Sequence, residues 1–180
     1  MGRARVSVRA LVVLAVCAVF ALGLDQLSKI LILSSMEVRE SVPVLGEVLR
    51  FTLVKNPGAA FSLASGFTWI LSAVAVGVIV FIVVFARRIR SVAWAVVFGL
   101  LLGGALGNLT DRLLREPGFG EGHVVDFIQV WGFPAIFNVA DIAICTAMGL
   151  FMLLTIRGVR LDGTHHANAQ AAEPGTEKED

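Results

Sequence analysis

Phe67 to Ala86 reads FTWILSAVAVGVIVFIVVFA, twenty residues without a charge. A helix of that length rises about 30 Å, the thickness of the hydrocarbon core of a bilayer. Ser91 to Thr110, SVAWAVVFGLLLGGALGNLT, is a second uncharged run of the same kind, separated from the first by Arg87, Arg88, Ile89 and Arg90. Two such runs with an arginine-rich turn between them read as a transmembrane hairpin. Ala10 to Leu24 and Ile142 to Ile156 are further apolar stretches, each too short alone. They reach spanning length only if the first runs on through Asp25 and the other starts before Asp141. The expected spans are therefore about 9–30, 67–86, 91–110 and 136–156, forming one domain over residues 1–160.

Composition agrees. The 180 residues are 57% hydrophobic and 16% charged, with a mean hydropathy of +0.83. A soluble domain is usually about half apolar and about a quarter charged. The net charge of +1, with no basic tract, P-loop or GxGxxG, gives no case for nucleic acid as a partner. Cys17 and Cys145 both lie in apolar runs, where a cysteine is expected as a small core residue and not in a disulfide or metal pair.

Arginines cluster before the first span (Arg3, Arg5, Arg9), between the second and third, and after the fourth (Arg157, Arg160). By the positive-inside rule both termini and the middle turn are cytoplasmic. The N-terminus is read as an uncleaved span, because Val16 before Cys17 is not small and the apolar run continues to Leu24. Phe51-Thr52-Leu53-Val54 reads as a strand, and Asn56-Pro57-Gly58 as a turn. The predicted fold is a mainly α membrane protein of four transmembrane helices, with a small extracytoplasmic β-rich segment between helices 1 and 2. The tail, 161–180, has no apolar face and is expected to be disordered in the cytoplasm.

Carboxylates at bilayer depth are costly and mark function. Counting about 1.5 Å per residue from the arginine clusters, Asp25 and Asp141 each lie roughly 24 Å up, and Asn108, Asp111 and Arg112 roughly 27 to 33 Å up. All gather near the outer leaflet. Asp25 and Lys29, at i and i+4, read either as a helix ion pair or as a brace for a site. Asp111 with Arg112 reads equally well as an interfacial pair. Asn108 is placed to bond another helix. His123 with Asp126 is a weak metal signal, and no metal site is expected. Gly99, Gly103 and Gly107 give the third span a smooth packing face. Asp126 and Asp141 together suggest a catalytic pair that activates water. The rival reading is a small transporter or proton channel using the same aspartates as a relay.

Five motifs in order resemble those of bacterial lipoprotein signal peptidase, or signal peptidase II. They are Asp25-Gln26-Leu27-Ser28-Lys29, Asn56-Pro57-Gly58-Ala59-Ala60-Phe61, the run from Gly103 to Arg112, Val124-Val125-Asp126-Phe127, and Phe137-Asn138-Val139-Ala140-Asp141. The resemblance covers the chain from the first span to Ile156. It implies an aspartyl endopeptidase of the bacterial cytoplasmic membrane that uses no metal or organic cofactor; apart from the resemblance, a monomer is expected. The implied substrate is a diacylglyceryl-modified prolipoprotein, cut just before the lipid-modified cysteine, with membrane lipid around it. Asp126 and Asp141 would form the dyad. Asn138 would orient a carboxylate or the substrate carbonyl, Asn56 and Arg112 would hold substrate backbone next to Gly58 and Asn108, and Asp25 with Lys29 would brace the helix ends. The outer segment before the second span is expected to close over the substrate.

Overall fold

Ser7 opens the first helix: its hydroxyl accepts from Ala10 N at 3.3 Å, and α1 runs from Val8 to Ser35. At 28 residues it rises about 42 Å, more than a bilayer core, and it passes through Cys17 and Asp25 unbroken. The other long helices are α2 (Thr68–Phe85), α3 (Val92–Leu114) and α4 (Val139–Ile156), with a 3₁₀ turn at Ala86–Arg88 after α2. This computed structural model of the chain describes residues 6–58 and 68–164. The end of the Asn56–Phe61 motif, part of the expected closing segment and the tail from 165 onward lie outside the described residues.

α3 is the axis of the bundle. It buries Trp94, Val97, Phe98, Leu102, Leu109 and Asp111 around its circumference, whereas α2 buries Thr68, Ser72 and Ile82. Glycine sets its distance from its neighbours. A Cβ on Gly103 would lie 2.5 Å from Ala18 O of α1, and one on Gly99 2.7 Å from Leu14 O. Gly104, off the predicted stripe, does the same for α4, where a Cβ would meet Ala140 O at 2.7 Å. Val16, Val19 and Phe20 of α1 and Val80, Val83 and Val84 of α2 are exposed. An apolar surface of this extent suits hydrocarbon, not water. Cys145, expected in the core, is turned to that exposed side, and Cys17 is half-buried; both are free.

The strand read around Phe51 is present, but its sheet draws on more than the segment between α1 and α2. β1 (Ser41–Leu45) and β2 (Leu49–Asn56) come from there; β3 (Val124–Val130) and β4 (Ile136–Phe137) come from between α3 and α4. The four strands are antiparallel in the order β1-β2-β3-β4. β2 alone would leave Leu53 and Phe51 uncovered. β3 supplies Val125 and Phe127, and these close a small core with Leu53 and Ile32 at the C-terminal end of α1. Phe51 and Phe127 meet edge to face at 5.6 Å. Residues 111–134, which fall between the expected spans 91–110 and 136–156, therefore contain the last turn of α3 and the strand that carries Asp126.

Candidate active site

α4 starts at Val139, not at 136, because Asn138 caps it. The Asn138 side-chain oxygen accepts from Asp141 N at 3.0 Å, and Asp141 Oδ2 accepts from Asn138 N at 3.1 Å. This capping box holds the Asp141 carboxylate at the helix N-terminus, where the helix dipole favours negative charge. Asp25 reaches the same end from α1, accepting from Ala140 N at 2.9 Å. Asp126 arrives from β3, paired across from Val54 of β2.

Three asparagine amides hold the two carboxylates, and each has its orientation fixed by a donor on its own oxygen. Asn108 Oδ1 faces the Lys29 ammonium at 3.1 Å, which can only donate, so its Nδ2 turns to Asp141 Oδ1 at 2.9 Å. Asn138 Oδ1 is taken by Asp141 N, so its Nδ2 faces Asp126 Oδ1 at 2.6 Å and Asn108 Oδ1 at 3.2 Å. Asn56 Oδ1 accepts from Gly58 N at 2.9 Å, and its Nδ2 donates to Asp126 Oδ2 at 2.7 Å. Gly58 adopts φ +102°, a left-handed conformation that suits glycine. Every oxygen of the two carboxylates thus accepts a hydrogen bond, and Asn138 touches both.

Behind the amides lies a buried ionic layer. Lys29 Nζ is 2.8 Å from Asp25 Oδ2, 2.8 Å from Asp111 Oδ2 and 3.1 Å from Asn108 Oδ1, one partner for each ammonium proton. Asp111 also accepts from Arg115 Nε at 2.7 Å and from Val125 N at 3.1 Å, which ties β3 to α3. Gln26 Nε2 lies within 3.3 Å of Asp111 Oδ1 and 3.0 Å of Gly107 O. Two carboxylates balance two cations, so the burial leaves no net charge unpaired. The α1–α3 spacing needed for this depends on Gly107, where a Cβ would sit 2.5 Å from Asp25 Oδ2.

Burial pushes the Asp126 carboxyl up from 3.8 to about 6. The Asn56 donor opposes the shift, the neighbouring Asp141 charge adds to it, and Asn138 and Lys29 oppose it. Arg112 lies within electrostatic reach of Asp126, Asp141 and Asp111. Its Nη1 reaches Asn108 O at 3.5 Å, and its buried Nε has no hydrogen-bond partner among the described residues.

The structure joins all nine residues singled out from the sequence in one network: Asp126, Asp141, Asp25, Lys29, Asn56, Gly58, Asn108, Arg112 and Asn138. Asp111, which from sequence reads equally well as an interfacial partner of Arg112, is also a member. Its contacts run instead to Lys29 and to Arg115 at i+4, a spacing visible in the sequence. Gln26 and Arg115 were missed. His123 does not join Asp126: it lines a depression with Val125 and Lys55, on the other side of β3. Among the described residues no group of three or more His, Cys, Asp or Glu is placed to hold a metal ion.

Residues 17–157 match the family described as signal peptidase (SPase) II. A lipoprotein signal peptidase of Leifsonia xyli subsp. xyli is 59% identical over 162 residues, 90% of this chain and 75% of that protein. One from Streptomyces coelicolor is 48% identical over 158 residues, 88% of this chain and 77% of that protein. One from Mycobacterium tuberculosis is 43% identical over 153 residues, 84% and 75% of the respective chains. A solved bacterial membrane enzyme superposes with a TM-score of 0.75 at 25% identity, covering 98% of this chain and 100% of that one. With its four apolar helices, its small sheet and these relatives, the chain belongs to the signal peptidase II family and is a membrane peptidase.

Proposed function

We propose that the chain removes the signal peptide from diacylglyceryl-modified prolipoproteins, cutting just before the lipid-modified cysteine, with Asp126 and Asp141 as the catalytic dyad. The observation that carries this reading is Asn138, which bonds to both carboxylates and so keeps two acids within one residue's reach of each other. Two such groups do not ionise independently, and the pair works best holding one proton. The ionised member takes a proton from water, which attacks the scissile carbonyl and forms the new C–O bond. The protonated member delivers its proton to the leaving amine as the C–N bond breaks. Burial of Asp126 favours the protonated form there. The unpartnered Arg112 Nε and the Asn56 amide suit a role in holding substrate backbone.

The polar network lies at the outer ends of α1 and α3 and the start of α4, opposite the arginine-bearing ends. This supports a cytoplasmic-membrane protein with both termini inside and its site near the outer leaflet. There a substrate keeps its acyl chains in the bilayer while its scissile bond meets the dyad. A proton relay would need polar groups through the inner half, but the core there is Ala10, Leu14, Ala18, Ile82, Trp94, Val97, Phe98, Leu102 and Ala147. The protein is proposed to act as a monomer in one membrane domain.

The test is cleavage of a diacylglyceryl-prolipoprotein by wild type, Asp126→Asn and Asp141→Asn in detergent with a chelator. Cleavage by the wild type alone, with both variants folded, supports the dyad. Normal cleavage by either variant refutes it, and a wild type stopped by the chelator calls for a metal instead.

A further inference from the structure

The far end of the bundle carries a second feature, independent of the peptidase chemistry. After α4 the chain turns back onto the α2–α3 connection. Trp94 Nε1 donates to Val159 O at 3.0 Å, and Arg90 N and Ser91 N both donate to Leu161 O at 2.9 Å. Buried Ala86 and Ile89 anchor the connection from below and leave its arginines outward. The result is one depression lined by Arg87, Arg88, Arg90 and Arg160 together with Leu161 and Asp162. Four guanidiniums against one carboxylate leave a formal charge of +3, and that carboxylate is bonded to Thr164 N at 2.9 Å and Thr164 Oγ1 at 2.7 Å. Like charges held together by backbone bonds repel, and an anion among them relieves the repulsion.

Arg88 also lines a second hollow, apolar, along one face of α2 with Gly77, Val80, Phe81, Val84 and Phe85. The Phe81 and Phe85 rings stack at 5.3 Å, and the Arg88 guanidinium lies 5.9 Å from the Phe85 centroid. At Gly77 a Cβ would meet nothing within 4 Å. From Gly77 to Arg88 the helix rises about 16 Å, close to half of a bilayer core of about 30 Å. A cationic pocket at the membrane boundary thus opens onto a hydrophobic track as long as one leaflet.

We propose that these two hollows bind one anionic phospholipid of the inner leaflet, its phosphate among the arginines and an acyl chain along α2. The leaflet follows from the orientation proposed above. A zwitterionic headgroup would bring its own cation against the guanidiniums and is disfavoured.

The experiment is native mass spectrometry of the full chain released from micelles holding equal amounts of phosphatidylglycerol and phosphatidylcholine. The wild type is expected to retain one phosphatidylglycerol in preference to phosphatidylcholine. Each basic side chain near an anionic surface contributes about a factor of five, so Arg88→Gln with Arg160→Gln lowers retention roughly thirtyfold. Gly77→Leu, whose Cβ meets nothing within 4 Å, puts its side chain into the track and lowers retention several-fold, with prolipoprotein cleavage unchanged. Equal retention of both lipids, wild-type retention by either variant, displacement of the lipid by inorganic phosphate, or a second copy of the chain in its place would each overturn the assignment.

Discussion

Lys29 Nζ and Asp111 Oδ2 lie 2.8 Å apart on different helices, with both side chains fully buried. The same ammonium holds Asp25 on its own helix and the Asn108 oxygen. Lys29→Met removes the cation shared by the two aspartates and leaves them facing each other. Breaking a buried pair from one side costs about 3–5 kcal/mol. The variant is expected to unfold in detergent at a clearly lower temperature and to lose cleavage, because Asn108 is then free to turn its amide away from Asp141. A wild-type melting temperature would show that the ionic layer is not what holds α1 to α3.

The Asp126 carboxyl, raised to about 6, gives a stability signature with a definite sign. Between about pH 4 and 6 the folded chain keeps a proton that the unfolded chain has already lost. This contribution is therefore greatest at low pH and declines as pH rises through that window, by about 3 kcal/mol at most. Other carboxylates add their own slopes, so the quantity to measure is the difference between wild type and Asp126→Asn. That difference is expected to change across pH 4–6 and to be flat above it. On the proposed chemistry kcat/KM also falls as the shared proton is lost above about pH 6.

The Asn56 amide favours the charged form of Asp126 by donating to it at 2.7 Å. Asn56→Ala removes that donor, so the carboxyl titrates higher and the alkaline limb of kcat/KM moves to higher pH. A charge-assisted hydrogen bond contributes about 1.5–3 kcal/mol, so the maximal rate is expected to fall by roughly ten- to a hundredfold if the bond serves the transition state. An unshifted limb would mean that Asn56 acts on the substrate alone and not on the dyad.

The spans were legible because hydropathy and the arginine clusters speak directly to membrane depth, and depth is what brought Asp25, Asn108 and Asp141 to one level. The strand read at Phe51-Thr52-Leu53-Val54 is the middle of β2. β3 was not legible, because Val124-Val125-Asp126-Phe127 is buried on both faces and shows no polar alternation; its partner lies about seventy residues away in sequence. Asp111 stayed open between two readings for a related reason. Adjacent Arg112 suggested a local pair, but consecutive residues on a helix point about 100° apart. Arg112 lies within electrostatic reach of Asp126 and Asp141 while Asp111 pairs with Lys29. Contacts of this kind depend on which helix stands beside which face, and hydropathy carries no such information.

Gly107 tests whether the close approach of α1 and α3 serves the site or only the packing. An added Cβ would sit 2.5 Å from Asp25 Oδ2 and 3.3 Å from the Ala140 Cβ. Asp25 is the group that accepts from Ala140 N, so pushing it aside also moves the N-terminus of α4 and with it Asp141. Gly107→Ala is expected to cost about 1–3 kcal/mol from overpacking and to slow cleavage by about a hundredfold, since a misplacement of about 1 Å is enough for that. Gly149, inside α4 with nothing within 4 Å of its Cβ position, is the control. There alanine should be neutral or stabilise the helix by up to about 1 kcal/mol, with cleavage unchanged. If the two substitutions behave alike in a cleavage assay, the Asp25 contact does not position α4, and the capping box and the Asn108 amide hold Asp141 without it.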